Sequence, residues 1–259
     1  MPTTPDTDRV IRFKVRRQDR PESAPYWERF DVPYGPSHNV ISCLQTIAAD
    51  PRTAEGRPTT PVVWDCNCLE EVCGACTMVI NGRVRQSCSA LVDKLLEDNG
   101  EPIVLEPMSK FPVIRDLTVD RTRMFGALIK IKGWVPIDGT HDLGAGPREA
   151  PVEQDSRYAL SRCMTCGCCL EACPQFQLGN DFIGAHAIGQ AAYFNEHETA
   201  RTLAGERLEA LMGPGGITDC GNAQNCVKVC PKDIPLSEAI AKIGRQTSVH
   251  AVRKFFTGA

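Results

Sequence analysis

No stretch of this sequence is long and apolar enough to serve as a membrane span. The longest mostly apolar run, Phe125 to Ile137, is short and is broken by Lys130 and Lys132, whereas a spanning helix requires ~20 apolar residues. If the protein works at a membrane, another subunit must anchor it. Charge of neither sign dominates: 29 basic residues face 32 acidic ones, for a net charge of −3. That balance gives no support to a nucleic-acid partner, whose footprint is a basic patch or excess. The start, MPTTPDTDRV, lacks the basic-then-apolar pattern of a secretory signal. The chain also has no G-x-G-x-x-G or G-x-x-x-x-G-K signature for a dinucleotide or triphosphate.

What the sequence has in excess is cysteine, 14 in 259 residues. Clustered on short spacings in a chain without a secretory signal, these thiols favour metal binding over disulfides. They fall into groups. Cys66, Cys68, Cys73, Cys76 and Cys88 lie in the first third, and Cys163, Cys166, Cys168, Cys169 and Cys173 follow a long gap. Cys220, Cys226 and Cys230 close the series, and Cys43 stands alone.

Periodicity divides the chain at about residue 115. Up to there, Val10–Val15 alternates apolar and basic residues as a half-buried strand does, and Tyr26–Val32 is its expected partner across a Pro-rich turn. Ser37 is placed to cap a helix carrying Val40, Leu44 and Ile47. Thr77–Ile80, Asn81-Gly82 and Arg83–Gln86 predict a tight hairpin, because Asn-Gly supplies the positive φ angles of the turn. Ile103–Leu105 is a further short strand. Beyond Asp116, the positions Leu117, Met124 and Leu128 mark a helical face, and Phe182–Phe194, Glu198–Leu211 and Ser237–Phe255 also read as helices. Gly139–Pro151 reads as a loop. The expected class is α+β: residues 1–115 as a small mixed domain and 116–259 as a helical one.

The first cysteine group reads Cys68-Leu-Glu-Glu-Val-Cys73-Gly-Ala-Cys76, with Cys88 beyond the hairpin. C-x4-C-x2-C followed by a distant Cys is the plant-type [2Fe–2S] arrangement. Gly74 lets the backbone approach the sulfurs without a Cβ in the way. Structural zinc is the alternative for four cysteines, but it usually takes two short C-x2–4-C pairs. Cys66 reads as a neighbour of the loop and Cys43 as an ordinary buried thiol.

The second group contains C-x2-C-x2-C-x3-C-P, from Cys163 to Pro174. The third, Cys220-Gly-Asn-Ala223-Gln-Asn-Cys226-Val-Lys-Val-Cys230-Pro231, is the same run with its second cysteine replaced by Ala223. In two-cluster ferredoxins the fourth cysteine of each run ligates the other cluster. That rule assigns Cys163, Cys166, Cys169 and Cys230 to a complete [4Fe–4S] cube and leaves Cys173, Cys220 and Cys226 for the other. Alanine has no ligand atom, so the third cluster is expected to be [3Fe–4S], with Ala223 facing its vacant corner. A four-iron cluster with an external ligand at that corner is the competing reading. Cys168 falls outside the swap and is expected to pack against the cluster. His141, His186 and His197 have no metal-ligand spacing.

These motifs, spread over nearly the whole chain, resemble the iron–sulfur subunit of succinate dehydrogenase and its relative fumarate reductase. The resemblance implies a plant-ferredoxin-like (β-grasp) N-terminal domain docked on an FAD-bearing subunit, and an all-helical bacterial-ferredoxin-like C-terminal domain on a membrane anchor with heme b. It implies the ligand sets Cys68, Cys73, Cys76 and Cys88; Cys163, Cys166, Cys169 and Cys230; and Cys173, Cys220 and Cys226. It also implies electron flow from FAD through [2Fe–2S], [4Fe–4S] and [3Fe–4S] to quinone, at the cytoplasmic face of a bacterial membrane. Forms with a quinone pocket beside the three-iron cluster carry a Trp and a His where this chain has Leu178 and Gly221. Those departures, with Cys66 and the GNAQNC stretch, resemble the bacterial type with one two-heme anchor polypeptide, which often uses menaquinone.

Overall fold

The computed structural model describes residues 9–136 and 148–257, so most of the expected Gly139–Pro151 loop, with His141, lies outside the described residues. Two compact units divide the chain after Arg121.

The first unit contains β1 (Val10–Arg17), β2 (Tyr26–Pro33), α1 (Val40–Ala49), β3 (Thr77–Ile80), β4 (Arg83–Gln86), α2 (Val92–Asn99), β5 (Ile103–Glu106), β6 (Val113–Arg115) and β7 (Thr118–Val119). Five strands form a mixed sheet in the order β2-β1-β5-β3-β4. The central pair β1–β5 is parallel, and the outer pairs are antiparallel. Alternation in β1 sends Ile11, Phe13 and Val15 to the core face, where they join Phe30, Val32, Leu44, Ile103 and Leu105. The hairpin forms as its sequence predicts: Asn81 and Gly82 have φ of +48° and +73°, and Val79 pairs with Val84. The N-cap of α1 is Asn39 rather than Ser37. Asn39 Oδ1 accepts from the Ser42 amide at 2.9 Å, and Ser42 Oγ accepts from the Asn39 amide at 3.1 Å. Ser37 sits upstream with a φ of +66°.

Period 2 also puts Arg17 on the core face of β1, and it is fully buried. Its Nε donates to Asp116 Oδ1 at 2.9 Å, its Nη1 pairs with Glu28, and its Nη2 reaches Thr60 Oγ1 at 3.0 Å. Burial acts to lower the Arg17 pKa, but the hydrogen bond and charge of Asp116 and the charge of Glu28 outweigh it, and the net shift is upward. Asp116, equally buried, also accepts from the Gln18 and Val63 amides at 3.1 and 2.9 Å. This knot ties the last hairpin to β1. It explains why the unit ends after residue 115, since β6 and β7 lie within the first unit and buried Leu117 joins its core. Leu117 is therefore no part of the helical face that the sequence implied.

The second unit contains α3 (Thr122–Lys130), α4 (Pro151–Ser161), α5 (Cys168–Glu171), α6 (Gly184–Glu196), α7 (Ala204–Met212), α8 (Asn225–Lys228) and α9 (Leu236–Thr257). No strand occurs among its described residues. The small residues Ala185, Ala187, Gly189, Ala191 and Ala192 let α6 bury most of its circumference against α4, α7 and α9. A 3₁₀ turn, Ala200–Leu203, precedes α7, so the helix expected from Glu198 begins later. Helix α4 opens at Pro151, a favoured first-turn residue, where the sequence reading had a loop end. Buried Arg207 closes this unit with donations to the carbonyls of Lys132, Trp134 and Ala200.

Candidate metal centres

The loop Cys68–Cys76 is wound so that its amides face sulfur. Leu69, Glu71 and Gly74 all have positive φ (+61°, +55° and +70°). The amides of Glu70, Val72 and Cys73 donate to Cys68 Sγ at 3.4, 3.3 and 3.3 Å, and the Ala75 amide approaches Cys73 Sγ at 3.5 Å. Those donors lower the Cys68 thiol pKa to about 7. The β3–β4 hairpin returns the chain to the loop. The Ser87 amide and Oγ both donate to the Cys76 carbonyl, at 3.2 and 2.7 Å, which seats buried Cys88 beside buried Cys76. Burial, then the hydrogen bond and charge of Cys76 and the charge of Cys68, push Cys88 up to about 12. One thiol is poised to ionise while its neighbour resists. Bound iron would supply the positive charge that lets both bind as thiolates.

The far side of this loop is held by a residue the sequence reading missed. Arg121 donates from Nη1 to the Gly74 carbonyl at 2.7 Å and from Nη2 to the Ala75 carbonyl at 2.6 Å. The Gly74 carbonyl also accepts from Thr77 Oγ1 at 2.8 Å, and Thr77 Oγ1 accepts from Gln86 Nε2 at 2.8 Å. Nothing in the local sequence marks Arg121, because its partners lie far back along the chain. Of the remaining thiols in this unit, Cys66 is exposed and Cys43 is buried within the apolar core. Burial pushes Cys43 up to about 12.

In the second unit the two cysteine runs are backbone copies of one another. Thr165 and Asn222, at matching positions, both have φ of +51°, and Gly167 and Gln224 follow at +91° and +58°. Each run then enters a one-turn helix, α5 or α8. Cys173 N donates to Leu170 O at 3.1 Å in the first run, and Cys230 N to Val227 O at 3.3 Å in the second. Ala223 therefore occupies the position of Cys166 in a preserved loop. Asn225 corresponds to Cys168 and ties the runs together by donating to the Ala172 carbonyl at 3.1 Å.

The thiols gather in two sets. Cys163, Cys166, Cys169 and Cys230 line one hollow, which buried Cys168 and His186 also line. Cys173, Cys220 and Cys226 line a second, and Ala223 is in its wall. Burial first and neighbouring thiols next raise the pKa of Cys163, Cys169 and Cys226. Cys166 and Cys230 act on Cys163, whereas Cys173 and Cys220 act on Cys226. Cys226 also acts on Cys169, so the two sets are neighbours. Among the described residues, no three Cys, His, Asp or Glu side chains converge as a single ion requires. Three or four thiols lining one hollow are a donor set suited to a sulfide-bridged cluster.

Two of the three histidines named above fall among the described residues. His186 Nε2 lies 3.0 Å from the Met124 carbonyl, and His197 Nδ1 accepts from the Thr199 and Ala200 amides. Leu178 is exposed. A Cβ at Gly221 would lie 2.6 Å from Gln175 Nε2, so the Gln175 amide fills the space of a side chain there.

A β-rich unit with a C-x4-C-x2-C loop, joined to a helical unit with two interlocked cysteine runs, defines an iron–sulfur electron-transfer protein of the two-domain ferredoxin kind. Residues 12–126 match a family model described as a 2Fe-2S iron-sulfur cluster binding domain, and 159–234 match a 4Fe-4S dicluster domain. The chain is 54% identical over 248 residues to the succinate dehydrogenase iron-sulfur subunit of Bacillus subtilis (strain 168), covering 96% of each. It is 29% identical over 245 residues to the fumarate reductase iron-sulfur subunit of Wolinella succinogenes, covering 92% of this chain and 97% of that one. In fold it matches a chain of the Mycobacterium smegmatis Sdh1 complex in the apo form, with a TM-score of 0.75 at 20% identity over 95% and 97% of the two chains. The chain belongs to the succinate dehydrogenase/fumarate reductase iron–sulfur subunit family.

Proposed function

We propose that this chain relays single electrons in a succinate:quinone oxidoreductase, through [2Fe–2S], [4Fe–4S] and [3Fe–4S] clusters in that order. The observation that carries the reading is the set of three thiol groups, each gathered around its own loop or hollow, in a chain without a nucleotide fingerprint. The proposed ligands are Cys68, Cys73, Cys76 and Cys88; Cys163, Cys166, Cys169 and Cys230; and Cys173, Cys220 and Cys226. Iron–sulfur clusters supply one-electron redox chemistry, and the protein sets their potentials through amides, burial and charge. What the residues do is hold the clusters and exclude alternatives. The Cys68 loop presents amides to sulfur, the paired runs fix two adjacent sites, and Ala223 withholds a fourth ligand from one of them.

Two-electron chemistry on succinate then belongs to an FAD-bearing flavoprotein partner, and this chain does not itself bind succinate. A heme b-containing anchor is the proposed route to the membrane; no helix among the described residues is long and apolar enough to cross one. With Leu178 and Gly221 where quinone-contacting Trp and His stand in other forms, quinone is reached through that anchor, and menaquinone is the favoured acceptor. The proposed location is the cytoplasmic face of a bacterial membrane. The test is reduction of the membrane-isolated complex by succinate against dithionite. Reduction of the two-iron centre by succinate supports the reading, and reduction by dithionite alone refutes the succinate partner.

A further inference from the structure

We infer that Arg121 is a positioning residue for the two-iron site, fixing the amide donors of the Cys73–Cys76 turn and raising the reduction potential of the cluster held there. The inference rests on the proposed ligation by Cys68, Cys73, Cys76 and Cys88.

The fork of Arg121 takes two consecutive carbonyls, Gly74 at 2.7 Å and Ala75 at 2.6 Å. These are the residues between Cys73 and Cys76. In a trans peptide the C=O of one residue and the N–H of the next point in opposite directions. Drawing the Gly74 carbonyl outward therefore turns the Ala75 N–H inward, and that amide does lie 3.5 Å from Cys73 Sγ. Drawing the Ala75 carbonyl outward likewise turns the Cys76 N–H away from Arg121. One guanidinium thus sets two amide vectors in the turn. Gly74, with a φ of +70°, is the joint that otherwise leaves this turn free to rotate. The second acceptor bond at the Gly74 carbonyl, from Thr77 Oγ1, links the arrangement to β3 and, through Gln86, to β4.

Two consequences share one sign. Amide donation to cluster sulfur favours the reduced state, and so does a fixed positive charge beside a centre that gains an electron. Lysine separates the two effects, because it keeps the charge but has no planar fork for two carbonyls.

The test is an EPR-monitored redox titration of the two-iron signal in the full membrane complex carrying wild-type chain, Arg121→Gln or Arg121→Lys. The midpoint potential should fall in both variants and further in Arg121→Gln, with altered g-values in each. Loss of the two-iron signal to a ferrous chelator should be at least tenfold faster in Arg121→Gln, since each charge-assisted bond lost is worth about that factor or more. If either assembled variant matches wild type in potential and g-values, the inference is overturned. Arg121→Lys serves for this should Arg121→Gln fail to assemble. Absence of a two-iron signal from the wild-type complex would overturn the ligand assignment itself, and the Arg121 inference with it.

Discussion

Replacing Asp116 with Ala should loosen the first unit selectively. Asp116 and Arg17 are both fully buried, and the carboxylate accepts three bonds: from Arg17 Nε at 2.9 Å, Gln18 N at 3.1 Å and Val63 N at 2.9 Å. Its loss orphans these donors while the guanidinium keeps only Glu28, Thr60 and Pro61. Removing one member of a buried ion pair costs about 3–5 kcal/mol. The φ of +46° at residue 116 adds on the order of 1 kcal/mol for Ala relative to Asp. Hydrogen exchange of the full chain reads this directly, since slow amides of β1 and β5 exchange through opening of this unit. At 1.36 kcal/mol per tenfold, a loss of 3–5 kcal/mol accelerates their exchange roughly a hundred- to several-thousand-fold. Amides of α6 and α9 should change little. Asp116→Asn, which keeps one acceptor oxygen and tolerates positive φ, should fall between. Acceleration below about tenfold in Asp116→Ala would refute the claim that this pair organises the unit.

Two further outcomes follow from the thiols. Ala223→Cys restores the missing member of the second run in a loop that already has the backbone of the first, so the variant should gain one iron per chain by elemental analysis and lose its oxidised three-iron EPR signal. In native holoprotein, maleimide near pH 8 should label exposed Cys66 and leave Cys43 untouched. Burial holds the Cys43 thiol near 12, so it stays protonated at that pH and is labelled only after unfolding; peptide mapping checks both sites.

The parts legible in the sequence were those set by local spacing. Asn81-Gly82 dictated its own turn, and the two Cys-Pro runs announced a duplicated loop whose positive-φ positions then matched one for one. The parts not legible depend on contacts between distant segments. Ser37 is the cap that the sequence suggests, whereas Asn39 caps the helix in the structure, a choice that goes with its Nδ2 donation to the Cys88 carbonyl at 3.0 Å. Leu117 fell in phase with Met124, but the Arg17–Asp116 pair pulls it into the first core. Arg121 lies 47 positions from its Gly74 partner, and one arginine among several in a charged stretch gives no hint of a clamp. In the metal centres, spacing pointed to which thiols belong together, and the fold added how amides, burial and neighbouring thiols bias them.

The central claim is a three-cluster relay with a three-iron terminus, and low-temperature EPR of the complex from native membranes tests it most directly. The account predicts an oxidised three-iron signal in the isolated enzyme and a two-iron signal that appears on addition of succinate. Four irons at the Cys173, Cys220 and Cys226 site, with no oxidised three-iron signal, would contradict the role assigned to Ala223.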